Sequence, residues 1–72
     1  MDKEYKVKMM YLKDIKPGMK VIDNHKICMV VSKCEFTYKS GMIAYYLTYD
    51  YNGKVSPEFR FDSDDKVFVI ID

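Results

Sequence analysis

Short apolar segments alternate with turn signals along the whole chain. The turns are marked by glycine, proline, asparagine and aspartate, at KPG (16–18), DNHK (23–26), KSG (39–41), YNGK (51–54) and DSDD (62–65). The segments between them are rich in valine, isoleucine, tyrosine and phenylalanine, which favour strands over helices. This spacing predicts a small antiparallel sheet or barrel of five strands, at roughly 19–23, 27–38, 42–50, 54–61 and 66–71.

The segment before the first turn allows two interpretations. Its apolar side chains alternate with lysines, at Tyr5, Val7, Met9 and Tyr11. That period of two favours a strand, whereas the methionine, leucine and lysine content also permits a short helix over 5–14. We place the strand ahead. At the other end of the chain, the acidic segment 62–65 is short enough for a single 3₁₀ turn.

Alternation also predicts which side chains form the interior. The third strand places Ile43, Tyr45, Leu47, Tyr49 and Tyr51 on one face, and the fourth places Val55, Pro57, Phe59 and Phe61 on one face. We therefore expect Tyr45, Tyr49, Phe59 and Phe61 to share one barrel interior. In the second strand the even positions other than Ser32 are apolar and are predicted to face inward, at Cys28, Val30, Cys34, Phe36 and Tyr38. Pro57 cannot donate to a ladder and marks an edge or a bulge.

The segment IKPGMKV (15–21) resembles the start of the first strand in SH3-like small barrels of the Tudor and KOW type. The resemblance covers about 12–71 and consists of turn chemistry and strand spacing. It implies an all-β, five-stranded antiparallel SH3-like barrel. The N-terminal segment adds either an extra strand or a short helix, and both alternatives stay open. Met19 departs from the acidic residue usual there, and no ligand-binding residue of those families can be placed. An oligonucleotide-binding barrel is the rival fold, but YNGK leaves no room for its helix.

The same architecture predicts an apolar outer surface, because it sets the fifth, first and second strands side by side. The first half of the second strand and the whole of the fifth strand are apolar on both faces. A strand with two apolar faces is usually covered on both. The predicted interface residues are Ile22, Ile27, Met29, Val31, Phe68 and Ile70, together with Tyr46 from the third strand. Either the N-terminal segment (Met9, Met10, Tyr11, Leu12 and Ile15) covers this surface, or a second copy or a foreign protein does.

The 72 residues suffice for one domain, an N-terminal segment (1–11) followed by the barrel (12–72). No apolar run approaches the roughly 20 residues that span a membrane, and the start has no signal-peptide pattern, so a cytoplasmic protein is expected. Cys28 and Cys34 would lie about 20 Å apart on one strand, which is too far for a disulfide. We expect both thiols to be reduced.

Charge and residue usage narrow the function classes. The net charge is +1, divided into +4 over 1–49 and −3 over 50–72. A dedicated nucleic-acid binder usually carries a larger basic excess, and a DNA mimic would be strongly acidic. Eleven lysines stand against one arginine and one alanine. Such a bias is typical of an AT-rich genome, that of a low-GC bacterium or one of its phages.

No catalytic or cofactor motif is present. His25 is the sole histidine, lies in a predicted turn, and has no nucleophile at a recognisable spacing. A site built from His25, Cys28 and Cys34 would lack a fourth ligand and the usual zinc spacing. We expect no enzyme activity, no cofactor and no metal.

Two function classes remain. The first is a protein-interaction module, such as a phage-encoded inhibitor that binds a host replication or transcription protein in the host cytoplasm, with a homodimer as a further partner. The second is a small nucleic-acid-binding barrel. In KCEFTYK (33–39), Phe36 and Tyr38 lie between Lys33 and Lys39, an arrangement that suits stacked bases and phosphates.

Overall fold

The computed structural model describes residues 6–71 and is all-β, as predicted. A 3₁₀ helix, Leu12–Asp14, accompanies seven strands: β1 Val7–Tyr11, β2 Lys20–Asp23, β3 Lys26–Thr37, β4 Ile43–Tyr51, β5 Lys54–Val55, β6 Phe59–Asp62 and β7 Lys66–Ile70. Every pairing is antiparallel. Segment 62–65 is a single hydrogen-bonded turn between β6 and β7, in which the Asp65 N–H donates to the Asp62 carbonyl at 3.1 Å, the i→i+3 bond of one 3₁₀ turn.

The strands form one sheet in the order β1-β7-β2-β3-β4-β5, and β6 pairs with β4 beyond β5. β7, β2 and β3 therefore lie side by side, as expected for the predicted fifth, first and second strands. The sheet is not closed, because among residues 6–71 β1 pairs with β7 alone and β6 with β4 alone. The molecule is a small antiparallel β-domain of a kind compatible with a barrel-like fold.

The N-terminal segment extends the sheet and does not cover it. β1 lies beside β7, in the register Met9↔Phe68. Leu12 and Ile15 follow β1 and are fully buried in the interior. For the described residues, the expectation that this segment covers the apolar surface is therefore wrong. Tyr5, which belongs to the same predicted strand, lies outside the described residues.

The interior is one apolar cluster on the concave side of the sheet. Its buried members are Leu12, Ile15, Val21, Cys28, Val30, Tyr45, Leu47, Tyr49 and Val69. Tyr45 and Tyr49 are buried as predicted, and Phe61 is half-buried against them. Phe59 keeps contact with Tyr49, at 5.7 Å between ring centroids, but 38% of its surface stays exposed.

The predicted fourth strand is in fact two strands. Pro57 has no N–H for the ladder, and the strand ends at Val55 and resumes at Phe59. In the gap, Ser56 bonds β4 twice: its N–H donates to the Tyr49 carbonyl (2.7 Å), and its Oγ accepts from the Tyr49 N–H (2.9 Å). Val55, predicted to face inward, is instead 63% exposed.

A bulge in β3 overturns the predicted faces of its second half. Pairing with β4 shifts register between Val30 and Ser32, so that one extra residue sits in β3. Because side chains alternate with period two, one extra residue exchanges the two faces. Cys34 and Phe36, predicted to be buried, are exposed, Phe36 by 53%.

The bulge turns Lys33 toward the inner side of the sheet. Its ammonium donates to the carbonyls of Ile15 (2.8 Å) and Lys13 (3.1 Å) and lies 4.9 Å from the ring centroid of Tyr45. Burial lowers the pKa of Lys33. These bonds satisfy one carbonyl of the 3₁₀ helix and one just after it, and they attach that segment to β3.

Thiol reactivity tests the bulge directly. At pH 8, iodoacetamide is expected to alkylate Cys34 at the rate of a free thiol. The rate for Cys28 is expected to be about 100-fold lower, or lower still, because Cys28 reacts only when the structure opens. Cys28 is 3% exposed, its thiol faces the Val21 carbonyl at 3.7 Å, and burial raises its pKa. Mass spectrometry of timed samples, with urea-unfolded protein as control, gives both rates. Equal rates in the folded protein would contradict the assigned faces.

Candidate interaction surface

An apolar stripe crosses four strands on the convex side of the sheet. Cross-strand register aligns Met9, Phe68, Ile22 and Ile27, one from each of β1, β7, β2 and β3. Directly opposed side chains in antiparallel strands touch, so this row is continuous. A second row flanks it. Together the two rows form a surface that we call the apolar outer face: Val7, Met9, Ile22, Ile27, Met29, Phe68 and Ile70.

These side chains are exposed to a degree unusual for their size. Met9 is 52% exposed, Phe68 45% and Ile27 43%, whereas Ile22 and Ile70 are half-buried between neighbours. Lys20 lies within the second row, opposite Met29. Lys66 marks the border of the face, where its ammonium lies 4.8 Å from the ring centroid of Tyr11. An apolar centre with a charged rim is the usual composition of a protein-binding surface.

The structure brings together five of the seven predicted interface residues: Ile22, Ile27, Met29, Phe68 and Ile70. Val31 is exposed at the bulge, outside the two rows, and Tyr46 lies on β4 opposite Cys34 and Arg60. Sequence reasoning missed Val7 and Met9. Their alternation with lysine gave the signal, but the partner strand of β1 could not be known.

A second exposed surface lies on the outer side of β3, β4 and β6. We call it the aromatic cluster: Phe36, Tyr38, Tyr46 and Arg60. The rings of Phe36 and Tyr38 meet edge to face at 4.9 Å. The Arg60 guanidinium lies 5.7 Å from the Tyr38 ring centroid, and its Nε donates to the Tyr38 hydroxyl at 3.2 Å. Hydrogen bonding from Tyr46, then from Arg60, lowers the pKa of Tyr38.

The predicted nucleic-acid residues separate in the structure. Phe36 and Tyr38 share the aromatic cluster, and Lys39 is exposed in the following turn. Lys33 is directed inward by the bulge and bonds backbone carbonyls, so its charge is not presented beside the rings. Arg60 takes that position, opposite Tyr46 on β6, with Asp62 bonded to it at 3.1 Å. The position of Arg60 beside these rings follows only from the strand register and not from the sequence.

The polar groups of the interior serve structure. The Tyr51 hydroxyl donates to Asp23 at 2.5 Å, joining β4 to the end of β2. Burial, followed by that carboxylate, raises the pKa of Tyr51. His25 is exposed in the β2–β3 turn with φ of 66°. Within residues 6–71, no three His, Cys, Asp or Glu side chains are grouped to hold a metal ion.

Two further findings bear on function. Across residues 6–71, no helix has the length and apolar character needed to cross a membrane. Comparison with models of known protein families and with curated proteins found no match to this chain.

Proposed function

We propose that this protein is a non-enzymatic interaction module that binds another protein through the apolar outer face. The observation that carries the proposal is the row Met9–Phe68–Ile22–Ile27, in which four strands each present an exposed or half-exposed apolar side chain. Such a row costs solubility and adds nothing to the interior. A partner that removes it from water accounts for its position.

The available area is sufficient for a specific complex. A standard interface removes about 800 Å² from each partner. The accessible surface of the chain is 5565 Å², so an interface of that size would occupy about one-seventh of it. Aromatic and methionine anchors such as Phe68 and Met9 are the side chains that dominate binding energy in such surfaces.

The finer proposal concerns the class of partner. The order of strands and turns resembles SH3-like barrels of the Tudor and KOW type, which serve widely as binding modules. The small size, the near-neutral charge and the lysine-rich composition favour a phage or low-GC bacterial origin. We therefore propose a host replication or transcription protein as the partner, and inhibition in the host cytoplasm as the effect. A second copy of the chain is the competing occupant of the face.

The experiment is an affinity pull-down with the tagged protein from a low-GC Gram-positive lysate, with and without nuclease, read by mass spectrometry. One dominant protein that survives nuclease supports the proposal. Recovery of many nucleic-acid-associated proteins that disappear on nuclease treatment contradicts it. Sedimentation equilibrium over a range of concentrations tests whether a second copy of the chain occupies the face, because a strict monomer excludes self-association.

The aromatic cluster favours a second candidate function, single-stranded nucleic-acid binding. Phe36 is 53% exposed and its ring meets that of Tyr38, over which the Arg60 guanidinium lies. Exposed rings close to a cation form a stacking platform for a base. On this alternative, Phe36→Ala is expected to weaken binding of a fluorescent single-stranded oligonucleotide by about tenfold. Binding should also weaken steeply with salt.

Fluorescence anisotropy at 50 and 200 mM salt measures both effects. Val55→Ala is the matched control, because it shortens another exposed apolar side chain, 63% exposed on β5 and away from the cluster. Equal affinity for the wild type and Phe36→Ala, or affinity independent of salt, would eliminate this candidate.

A further inference from the structure

β1 is the outermost strand on its side of the sheet. Among residues 6–71 it pairs with β7, and no other strand lies along its second edge. Its backbone bonds show which residues are engaged. The Ile71 N–H donates to the Lys6 carbonyl (2.9 Å), and the Leu12 N–H to the Asp65 carbonyl (3.4 Å). At both ends, therefore, the residue bonded toward the β7 side carries an even number.

Bonding direction alternates along an antiparallel strand, so the odd-numbered residues of β1 point the other way. Val7, Met9 and Tyr11 direct their backbone N–H and C=O groups to the unpaired edge. Their side chains belong to the convex side, where Val7 and Met9 form part of the apolar outer face. The edge therefore offers three donors, three acceptors and an apolar border, which are the groups that an added strand uses.

The other side of this edge has a different character. A groove runs along β1 toward the loop before β2, and it is lined by Met9 and Tyr11 at the edge itself and by Lys8, Met10, Lys13, Asp14, Lys16 and Met19. Three lysines stand against one acid there. The methionines supply an adaptable apolar floor, and the lysines supply positive charge. The groove is suited to acidic side chains with some apolar surface.

We infer that the unpaired edge of β1 binds an extended segment of another protein in which acidic and apolar residues alternate. An added strand places every second side chain beside Val7, Met9 and Tyr11, on the apolar side. The intervening side chains enter the groove beside Lys8, where Lys13 and Lys16 also lie. Main-chain bonds supply affinity, and the alternation of acid and apolar residue supplies specificity.

The charge beside this edge favours an acidic segment of another protein over a second copy of this chain. A second copy would bring its own β1, with Lys6 and Lys8, against the same lysines, and like charges on paired strands repel. The first 49 residues carry a net charge of +4, so an acidic segment is the complementary one. The lysines thus discourage edge-to-edge pairing of identical chains and admit an acidic strand.

The inference goes beyond the proposed function, because it uses the backbone edge of β1 and the groove lysines and shares only the border residues Val7 and Met9 with the apolar outer face. The probe is an acetylated, amidated octapeptide of alternating valine and glutamate. The matched control peptide has lysine in place of glutamate. Titration of the ¹⁵N-labelled protein is expected to shift the amide signals of Val7, Met9 and Tyr11 and to slow their hydrogen exchange. The control peptide is expected to give no shift.

Two variants test the mode of binding. Lys8→Glu is expected to lower the affinity for the valine–glutamate peptide about fivefold, because it replaces a surface attraction between charges by a repulsion. Met9→Pro removes an N–H that points to the free edge and leaves the ladder to β7 intact, so it should abolish the amide shifts, whereas Met9→Leu retains them. Ile27→Glu, which alters the apolar outer face, should still bind the peptide.

Three results would overturn the inference: no binding of the glutamate peptide, equal binding of the lysine peptide, or wild-type affinity in the folded Lys8→Glu protein. If Met9→Pro does not fold, Lys8→Glu and the peptide pair still decide the question. Loss of the protein partner in Ile27→Glu with retained peptide binding would leave both proposals standing as separate surfaces.

Discussion

Replacing Tyr49 with alanine is expected to lower the free energy of unfolding by about 3–5 kcal/mol, the usual cost of deleting a buried aromatic ring. Tyr49 is 1% exposed and belongs to the buried cluster. Its ring lies 5.7 Å from that of Phe59 and 6.1 Å from that of Tyr51, so alanine would leave a cavity between β4 and β6.

The size of the domain makes this loss decisive. A chain of 72 residues has a total stability of about 4–11 kcal/mol. The melting temperature should therefore fall by about 15 °C or more, and in the lower part of that stability range the variant would be largely unfolded at 37 °C. Thermal and urea unfolding followed by circular dichroism measure the effect.

Tyr49→Phe is the matched control, because it keeps the ring and removes the hydroxyl. Its expected cost is below about 1 kcal/mol. The backbone bonds between Tyr49 and Ser56 survive in both variants, since they involve main-chain atoms of residue 49. A Tyr49→Ala protein that melts within about 5 °C of the wild type would show that this ring does not anchor the interior.

The elements that sequence reasoning located are those with strong local signals. Asn52-Gly53 predicted a two-residue hairpin, and both residues have positive φ, 51° and 92°. The faces of β4 were predicted because a regular strand alternates without interruption, and Tyr45, Leu47 and Tyr49 are buried accordingly. Each of these features depends on only a few consecutive residues.

The features that sequence reasoning missed depend on pairing between distant segments. The segment Val30-Val31-Ser32 carries no glycine or other local sign of a bulge, yet the register with β4 shifts there. That one residue reverses the roles of Lys33 and Phe36. Pro57 predicts an edge or a bulge. The length of the break between β5 and β6 is set by the hydrogen bonds between Ser56 and Tyr49.

The candidate site shows the same division. Ile22, Ile27 and Phe68 were predicted to share a surface, because the SH3-like barrels that the chain resembles set the fifth, first and second strands side by side. Their neighbour Met9 was placed only in a segment that covers this surface in one of two alternatives, because the alternation of β1 fixes its faces and not its partner strand. The pairing with β7 moves Met9 from the cover into the apolar outer face. The row on which the proposed function rests therefore includes β1, which the predicted interface lacked, and excludes β4, to which Tyr46 belongs.

The sharpest test of that function is Phe68→Lys. Phe68 occupies the middle of the row, between Met9 on β1 and Ile22 on β2. A lysine there would place a charge at the centre of the contact, where no described acidic side chain is paired with it in the register. Loss of an aromatic anchor alone costs about 2 kcal/mol or more, so affinity for the partner should fall at least 30-fold. Recovery of the dominant protein in the pull-down should fall to a few per cent.

The variant is expected to remain folded, because 45% of the Phe68 surface is already exposed and its neighbour Val69 supplies the buried contact of β7. Val55→Lys is the matched control: it makes the same kind of substitution at a 63% exposed strand position, on β5 opposite Asp50. Its pull-down should equal that of the wild type. If Phe68→Lys is folded and recovers the same protein as efficiently as Val55→Lys, the apolar outer face is not the binding surface. If neither variant nor the wild type recovers a protein and the wild type is a dimer that Phe68→Lys converts to a monomer, the occupant of the face is a second copy.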